Sequence, residues 1–287
     1  MRTLIITGGS SGIGKATASL FAERGWCVFE LSRHGAQQST DHTASADRSR
    51  PCRDKNSQLS TVNSQLSITH IYCDVCSEES CRTAVAEVLS QTGHIDVVIS
   101  NAGYGISGPI EFTPVAEVEH QMDVNFMGAV RFTQAILPQL RKQRAGRIIY
   151  TSSVAAVLAV PYQAFYSASK AAINALALSL ANELREFGIS VSVLMPGDVS
   201  TGFTDARRKS ADGAGVYRHA DQAIRAMEKD ERGGMQPREM AELFYHIATC
   251  RSPRPQYVGG ALYRFFCFLN CLLPTRLVNW IEGKMYS

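Results

Sequence analysis

This chain of 287 residues predicts an α/β fold, a doubly wound parallel sheet of about seven strands with helices on both faces. Three observations carry the prediction. Short β-rich runs alternate in regular order with longer helical patterns. The runs mostly lack period-two alternation, as strands buried on both faces of a parallel sheet should. The first run ends in a glycine-rich turn that opens a helix. Strands are expected at Thr3–Thr7, Cys27–Leu31, Thr69–Cys73, Val97–Ser100, Arg147–Thr151 and Ser190–Leu194, bounded by Gly, Asn or Pro. Helices are expected at Gly14–Arg24, Glu78–Gln91, Val115–Lys142 and Tyr162–Phe187. A helix around Pro237–Thr249 then leads to a seventh strand at Gln256–Val258. Strand, helix and strand in repetition imply right-handed crossovers.

One domain over 1–287 accounts for the chain, because no second core is visible. The stretch 35–67 breaks the alternation. It is poor in aliphatic residues and rich in Ser, Thr, Asp, Asn and Gln. Within it Asn56-Ser57-Gln58-Leu59-Ser60 recurs as Asn63-Ser64-Gln65-Leu66-Ser67. Two copies are too few for a solenoid, so a surface insertion is expected there. The net charge of +3, from 29 basic and 26 acidic side chains, is too balanced for a nucleic-acid partner or a polybasic anchor. The N-terminal apolar run is too short for a secretory signal. With eight cysteines and no such signal, a cytoplasmic location with reduced thiols is expected. Cys73-x2-Cys76-x4-Cys81 has no second cluster or nearby His to complete four ligands, so no metal is expected.

The chemistry concentrates at strand ends. Thr7-Gly8-Gly9-Ser10-Ser11-Gly12-Ile13-Gly14 follows the first strand directly. Glycines at 8, 12 and 14 permit a tight turn and bring backbone amides close to a ligand. The helix N-terminus behind them favours a pyrophosphate. Tyr166 and Lys170 stand four apart and share one helix face. A cation one turn from a tyrosine stabilises the phenolate and lowers its pKa from about 10. Ser152 and Ser153 lie just past the fifth strand, at the sheet edge that faces ligands in such folds.

Taken together, these motifs resemble the compact single-domain branch of the short-chain dehydrogenase/reductase family, from about Arg2 to Thr204. The family's Thr-Gly-x3-Gly-x-Gly is matched at Thr7 to Gly14, and its Asn-Ala-Gly at Asn101-Ala102-Gly103. Its tetrad asparagine falls at Asn125. Its serine stands thirteen residues before the tyrosine of Tyr-x3-Lys, which selects Ser153 over Ser152. Its Pro-Gly is Pro196-Gly197, with Val199 and Thr201 in the expected places. The resemblance implies a Rossmann-type domain and an oxidoreductase interconverting a carbonyl and an alcohol by hydride transfer. It implies that Ser153 polarises the carbonyl and Tyr166 exchanges a proton with it. Lys170 would bind the nicotinamide ribose and lower the tyrosine's ionisation, and Asn125 would position a water between Lys170 and solvent. The cofactor would lie along Gly8, Ser10, Ser11, Gly12, Ile13 and Gly14, with Asp74-Val75 at the adenine. Asn101 to Gly103, Tyr166, Lys170, Pro196, Gly197, Val199 and Thr201 would complete its site.

Cofactor choice turns on the end of the second strand. NAD enzymes usually place an acid there for the ribose 2′-hydroxyl. Here Ser32 stands at that position and Arg33 follows, suited to a 2′-phosphate. NADP(H) is therefore expected over NAD(H), with Glu30 the competing residue, two positions early. Residues 202–235, with the basic cluster Arg207-Arg208-Lys209, read as a substrate lid or as a solvated helix face. The tail 260–287 carries Leu262, Phe265, Phe266, Phe268, Leu269, Leu272, Leu273, Leu277, Val278 and Trp280 beside Arg264 and Arg276. It suits an apolar substrate cap, a subunit contact, a membrane-surface helix or a plain packed helix. The expected partner is a moderately apolar carbonyl or alcohol. A homodimer or homotetramer is implied by the family and by the Ala-rich helix at Ala168–Ala181. Two alternatives stand beside the enzyme: a non-catalytic NADP(H) sensor, and a membrane-surface or interaction protein using the tail.

Overall fold

The computed structural model describes residues 1–34, 68–209 and 216–285. The expected insertion at 35–67 lies outside them. Seven strands, β1 (Thr3–Thr7), β2 (Cys27–Ser32), β3 (Ile68–Tyr72), β4 (Val97–Ser100), β6 (Gly146–Thr151), β7 (Ile189–Met195) and β9 (Gln256–Val258), form one parallel sheet. Their order across it is β3-β2-β1-β4-β6-β7-β9. Every residue of β1, β2 and β4 is buried, which is why these runs read as continuous apolar segments. One apolar layer contains Phe29, Phe132, Tyr150 and Val193, and the other Leu4, Phe21, Ile99 and Phe244.

The helices are α1 (Gly12–Glu23), α2 (Glu78–Thr92), α3 (Val115–Met122), α4 (Gly128–Gln143), α5 (Ala164–Glu183), α6 (Phe203–Ala206), α7 (Ala220–Arg232), α8 (Pro237–Thr249), α9 (Ala261–Leu272) and α10 (Thr275–Met285). Three features depart from expectation. The single helix expected over Val115–Lys142 is interrupted by a π-turn at Asp123–Met127, which separates α3 from α4. The helix expected from Tyr162 starts at Ala164, because Tyr162 has a left-handed backbone with φ of 60°. The apolar tail forms two helices, since Pro274 cannot continue α9. A separate short parallel ladder pairs β5 (Ile106–Ser107) with β8 (Arg208–Lys209) and ties the segment after β7 to the body. Sheet order reverses between β1 and β4, where a crevice opens beyond the strands' carboxyl ends.

Candidate active site

The turn from β1 to α1 is held from below. The Thr7 hydroxyl accepts from the backbone N–H of Asn101 at 3.0 Å and of Ala102 at 3.1 Å. The Asn101 side-chain amide donates to the Gly8 carbonyl at 3.1 Å, and its oxygen accepts from Thr151 at 3.1 Å. Gly8 and Gly12 take left-handed φ values of 65° and 52°. A Cβ on Gly14 would lie 2.2 Å from the Gly8 carbonyl oxygen, so glycine is required for the closeness of this turn. Ser11 precedes α1 without capping it through its side chain, and the first turn carries no acid. Its N–H groups are thus suited to an anion. A turn this close, ending at a helix N-terminus, fits a dinucleotide's pyrophosphate.

At the end of β2, Arg33 is exposed and lines the cleft, together with Ser32. Glu30 is fully buried under the turn, where a Cβ on Gly9 would lie 2.4 Å from its Cγ. Its carboxylate meets His70 Nδ1 at 2.8 Å and accepts from the Ser32 hydroxyl at 3.2 Å. The competing residue for the ribose is therefore occupied inside the core. Asp74 and Val75 line the cleft beyond β3, and Asp74 accepts from the Cys76 N–H at 3.0 Å.

The sequence missed one neighbourhood here. Helix α3 and the π-turn bring His120 and Asp123 beside Cys76, with ligand atoms within 4.8 Å of one another. A histidine is thus near the cysteine run after all. Asp123 is already bound to Arg131 at 2.6 Å, and burial pushes the Cys76 thiol up to about 12, so both potential ligands are compromised.

Ser152 and Ser153 follow β6 but separate in role. Ser152 turns inward and donates to the Lys170 carbonyl at 3.0 Å. Ser153 starts a short 3-10 turn at Val154–Ala156, accepts from the Ala155 N–H at 3.1 Å, and acts on the Tyr166 phenol to favour its ionisation. Lys170, one turn along α5, is buried and donates to the Thr151 carbonyl at 2.9 Å, with its Nζ 5.7 Å from the Tyr166 ring centre. Asn125 sits in the π-turn and bonds both backbone groups of Tyr104, at 3.0 and 2.9 Å, and Ser169 at 3.0 Å. Its oxygen and Lys170 Nζ flank Gly103, 3.0 and 3.5 Å from where a Cβ would stand.

The electrostatics differ from expectation. Burial pushes Tyr166 up to about 12, against the lowering effects of Ser153 and Arg207. Burial also pushes Lys170 down to about 8. In a low-dielectric cleft both charged forms are disfavoured, so the lysine does not bring the phenol below its ordinary value.

Pro196, Gly197, Val199 and Thr201 line the opposite wall, with Thr201 3.4 Å from the Cβ position of Gly12. Several residues that complete the site carried no motif. Phe203 lies 5.7 Å from Tyr166, ring to ring. Arg207, expected within a basic surface cluster, is buried and paired with Glu231, which also accepts from Thr204 at 2.7 Å. The solvated-face reading of 202–235 therefore fails at Arg207. Tyr263 packs on Gly197 and donates to Asp198. The cleft, about 1550 Å³, runs from the glycine turn to an apolar wall that includes Leu262, Phe266, Leu269, Leu273 and Val278.

Comparison with known proteins agrees with this geometry. Residues 2–212 match the family described as short chain dehydrogenase. A 3-ketodihydrosphingosine reductase of Bacteroides thetaiotaomicron is 36% identical over 99% of this chain and 97% of its own length. Retinol dehydrogenase 8 of Bos taurus is 35% identical over 70% of this chain and 60% of its own. A short-chain dehydrogenase from Streptomyces avermitilis superposes with a TM-score of 0.76 at 24% identity, covering 99% of this chain and 97% of that one.

Proposed function

The chain belongs to the short-chain dehydrogenase family and is an oxidoreductase, and from that premise we propose that it reduces a ketone on a long apolar substrate with NADPH. The observation that carries this reading is the joining of Ser153, Tyr166 and Lys170 at the head of a cleft whose far wall is apolar. When bound, the nicotinamide supplies the hydride. The glycine turn of Gly8 to Gly14, with Ser10, Ser11 and Ile13, holds the pyrophosphate. Ser32 and Arg33 take the 2′-phosphate, and Asp74-Val75 flank the adenine. Asn101 to Gly103, with Pro196, Gly197, Val199 and Thr201, enclose the nicotinamide end, and Lys170 holds its ribose.

Ser153 donates to the substrate's carbonyl oxygen and fixes its position beside Tyr166. A phenol held up at about 12 keeps its proton at neutral pH, which suits a proton donor and therefore the reductive direction. Lys170, at about 8, is still mostly protonated at pH 7 and supplies the proton that restores the phenol once Tyr166 has given its own to the substrate. Asn125 fixes the π-turn next to Lys170 and positions the water through which the lysine regains its proton.

Two features support the substrate class. One relative that matches nearly end to end is named 3-ketodihydrosphingosine reductase. The cleft also exceeds the ~300–1,000 Å³ of a drug-sized site, leaving space for an alkyl chain beside a dinucleotide.

Nicotinamide fluorescence titration tests the cofactor. NADPH should bind more tightly than NADH, and Arg33→Ala should weaken NADPH about 10- to 100-fold, as loss of a charge-assisted contact does, and leave NADH unchanged. Turnover of a long-chain 3-ketone should fall at least ~100-fold in Tyr166→Phe with NADPH binding intact. Equal binding of both cofactors would remove the NADP(H) assignment, and near-normal turnover in Tyr166→Phe would remove the proton donor.

A further inference from the structure

Seven of the fifteen large apolar side chains exposed among the described residues fall between positions 262 and 281: Leu262, Phe265, Phe268, Leu272, Leu277, Trp280 and Ile281. Their arrangement repeats from one helix to the next. At ~100° per residue, Phe265, Phe268 and Leu272 form one stripe on α9, about a quarter turn from the stripe of Leu262, Phe266, Leu269 and Leu273 that lines the cleft. On α10, Leu277 and Trp280 stand outward in the same way while Val278 and Ile281 line the cleft. A cation borders each outer stripe on the side away from the cleft, Arg264 on α9 and Arg276 on α10, both exposed. Lys284 continues the outer face of α10. The one acid of the two helices, Glu282, is half-buried and lines the cleft. The outer face is thus apolar and purely cationic.

We propose that the outer face of α9 and α10 docks the protein on the surface of an anionic lipid bilayer. A second copy of this chain fits less well, because a face bordered only by cations meets like charge in its own image. A bilayer with anionic headgroups satisfies both features: the rings enter the headgroup and acyl boundary, and the arginines reach the phosphates. No helix among the described residues is long and apolar enough to cross a membrane, so the contact is a surface one. The same two helices wall the cleft on their other side, and Leu262 belongs to both surfaces. On the reading of an apolar ketone as substrate, the mouth of the cleft opens where such a molecule resides.

The protein carries its own probe. Trp280 is 61% exposed and the other tryptophan, Trp26, is buried at 4%, so a change in emission on docking reports α10. The full chain is mixed, without cofactor, with vesicles of phosphatidylcholine alone or with about a third phosphatidylglycerol. It should sediment with the anionic vesicles, and Trp280 emission should shift to the blue. Phe265→Ser/Phe268→Ser should weaken partitioning about tenfold or more. Arg264→Glu/Arg276→Glu should abolish the preference for anionic lipid. Neither pair lines the cleft, so NADPH-dependent turnover of a water-soluble ketone should be unchanged in both.

The proposal is overturned if the wild type stays in the supernatant or if vesicle binding is the same in Phe265→Ser/Phe268→Ser. It is equally overturned if light scattering finds a dimer that this variant loses and no vesicle binding, since the face then belongs to a second copy. Docking is read without cofactor or substrate, so failure of the redox assignment and failure of docking are separately visible.

Discussion

Ser152 and Ser153 are chemically identical neighbours, and backbone direction alone divides their tasks. The first is spent on the Lys170 carbonyl, and the second acts on the Tyr166 phenol. Lys170 shows what such a site does to stability. Burial lowers its pKa from an ordinary 10.5 to about 8. Between those values the unfolded chain binds more protons than the folded one, so this group makes stability rise with pH across that window. Below pH 8 the full burden remains, on the order of 3 kcal/mol before the hydrogen bond to Thr151 is set against it. Lys170→Met should therefore be more stable than wild type by about 1–2 kcal/mol at pH 7 while losing turnover. Urea unfolding of both proteins at pH 7 and pH 10 checks this. The advantage should shrink at the higher pH, and an advantage that grows would mean that the lysine is not desolvated. Glu30 shows the reverse limit of reading one residue at a time, since nothing at its own position tells that it is buried against His70.

At the scale of elements, the glycine turn was legible because its requirements are local. Three glycines, a preceding strand and a following helix lie within a dozen residues and impose their own geometry. The π-turn was not legible. One extra residue in a helical turn leaves the apolar period nearly unchanged, yet it sets Asn125 against Tyr104 and Ser169. The segment after β7 was half legible. Its charges suggested a surface, but Arg207 and Glu231, 24 positions apart, form a buried pair behind Phe203 and Tyr166. Glu231→Ala should leave that guanidinium buried without its counter-charge and destabilise by about 3–5 kcal/mol. Glu231→Gln keeps an acceptor and should lose less. Thermal unfolding of both variants orders them, and equal losses would show that the charge of Glu231 is immaterial.

At the scale of the molecule, the sheet and the tail are energetically separable. None of the side chains described in α9 or α10 is fully buried, whereas α8 packs Phe244 and Ile247 into the core on α1. Removing residues 261–287 should therefore lower the melting temperature only modestly, because little apolar area is lost from the core. It should leave NADPH binding within about threefold of wild type, since the glycine turn, Arg33 and Lys170 are untouched. KM for a long-chain ketone should rise about tenfold or more, as the apolar wall contributed by Phe266, Leu269 and Leu273 disappears. Loss of cofactor binding in the truncated chain would show instead that Tyr263, through Gly197 and Asp198, holds the nicotinamide wall.

The sequence alone determined the parallel sheet, its strand positions to within a residue or two, and the family. These depend on short-range properties: continuous apolar runs, glycine conformations, and residue spacings along a single helix or turn. Tertiary structure decided the rest. It placed Glu30 under the turn with His70, 40 positions away, and set Tyr263 against Asp198, 65 positions away. It also folded the tail into two helices, one side facing the cleft and the other facing out. Each of these outcomes depends on which surfaces meet when the layers close. Packing and burial decide that between distant segments, and no local pattern records it.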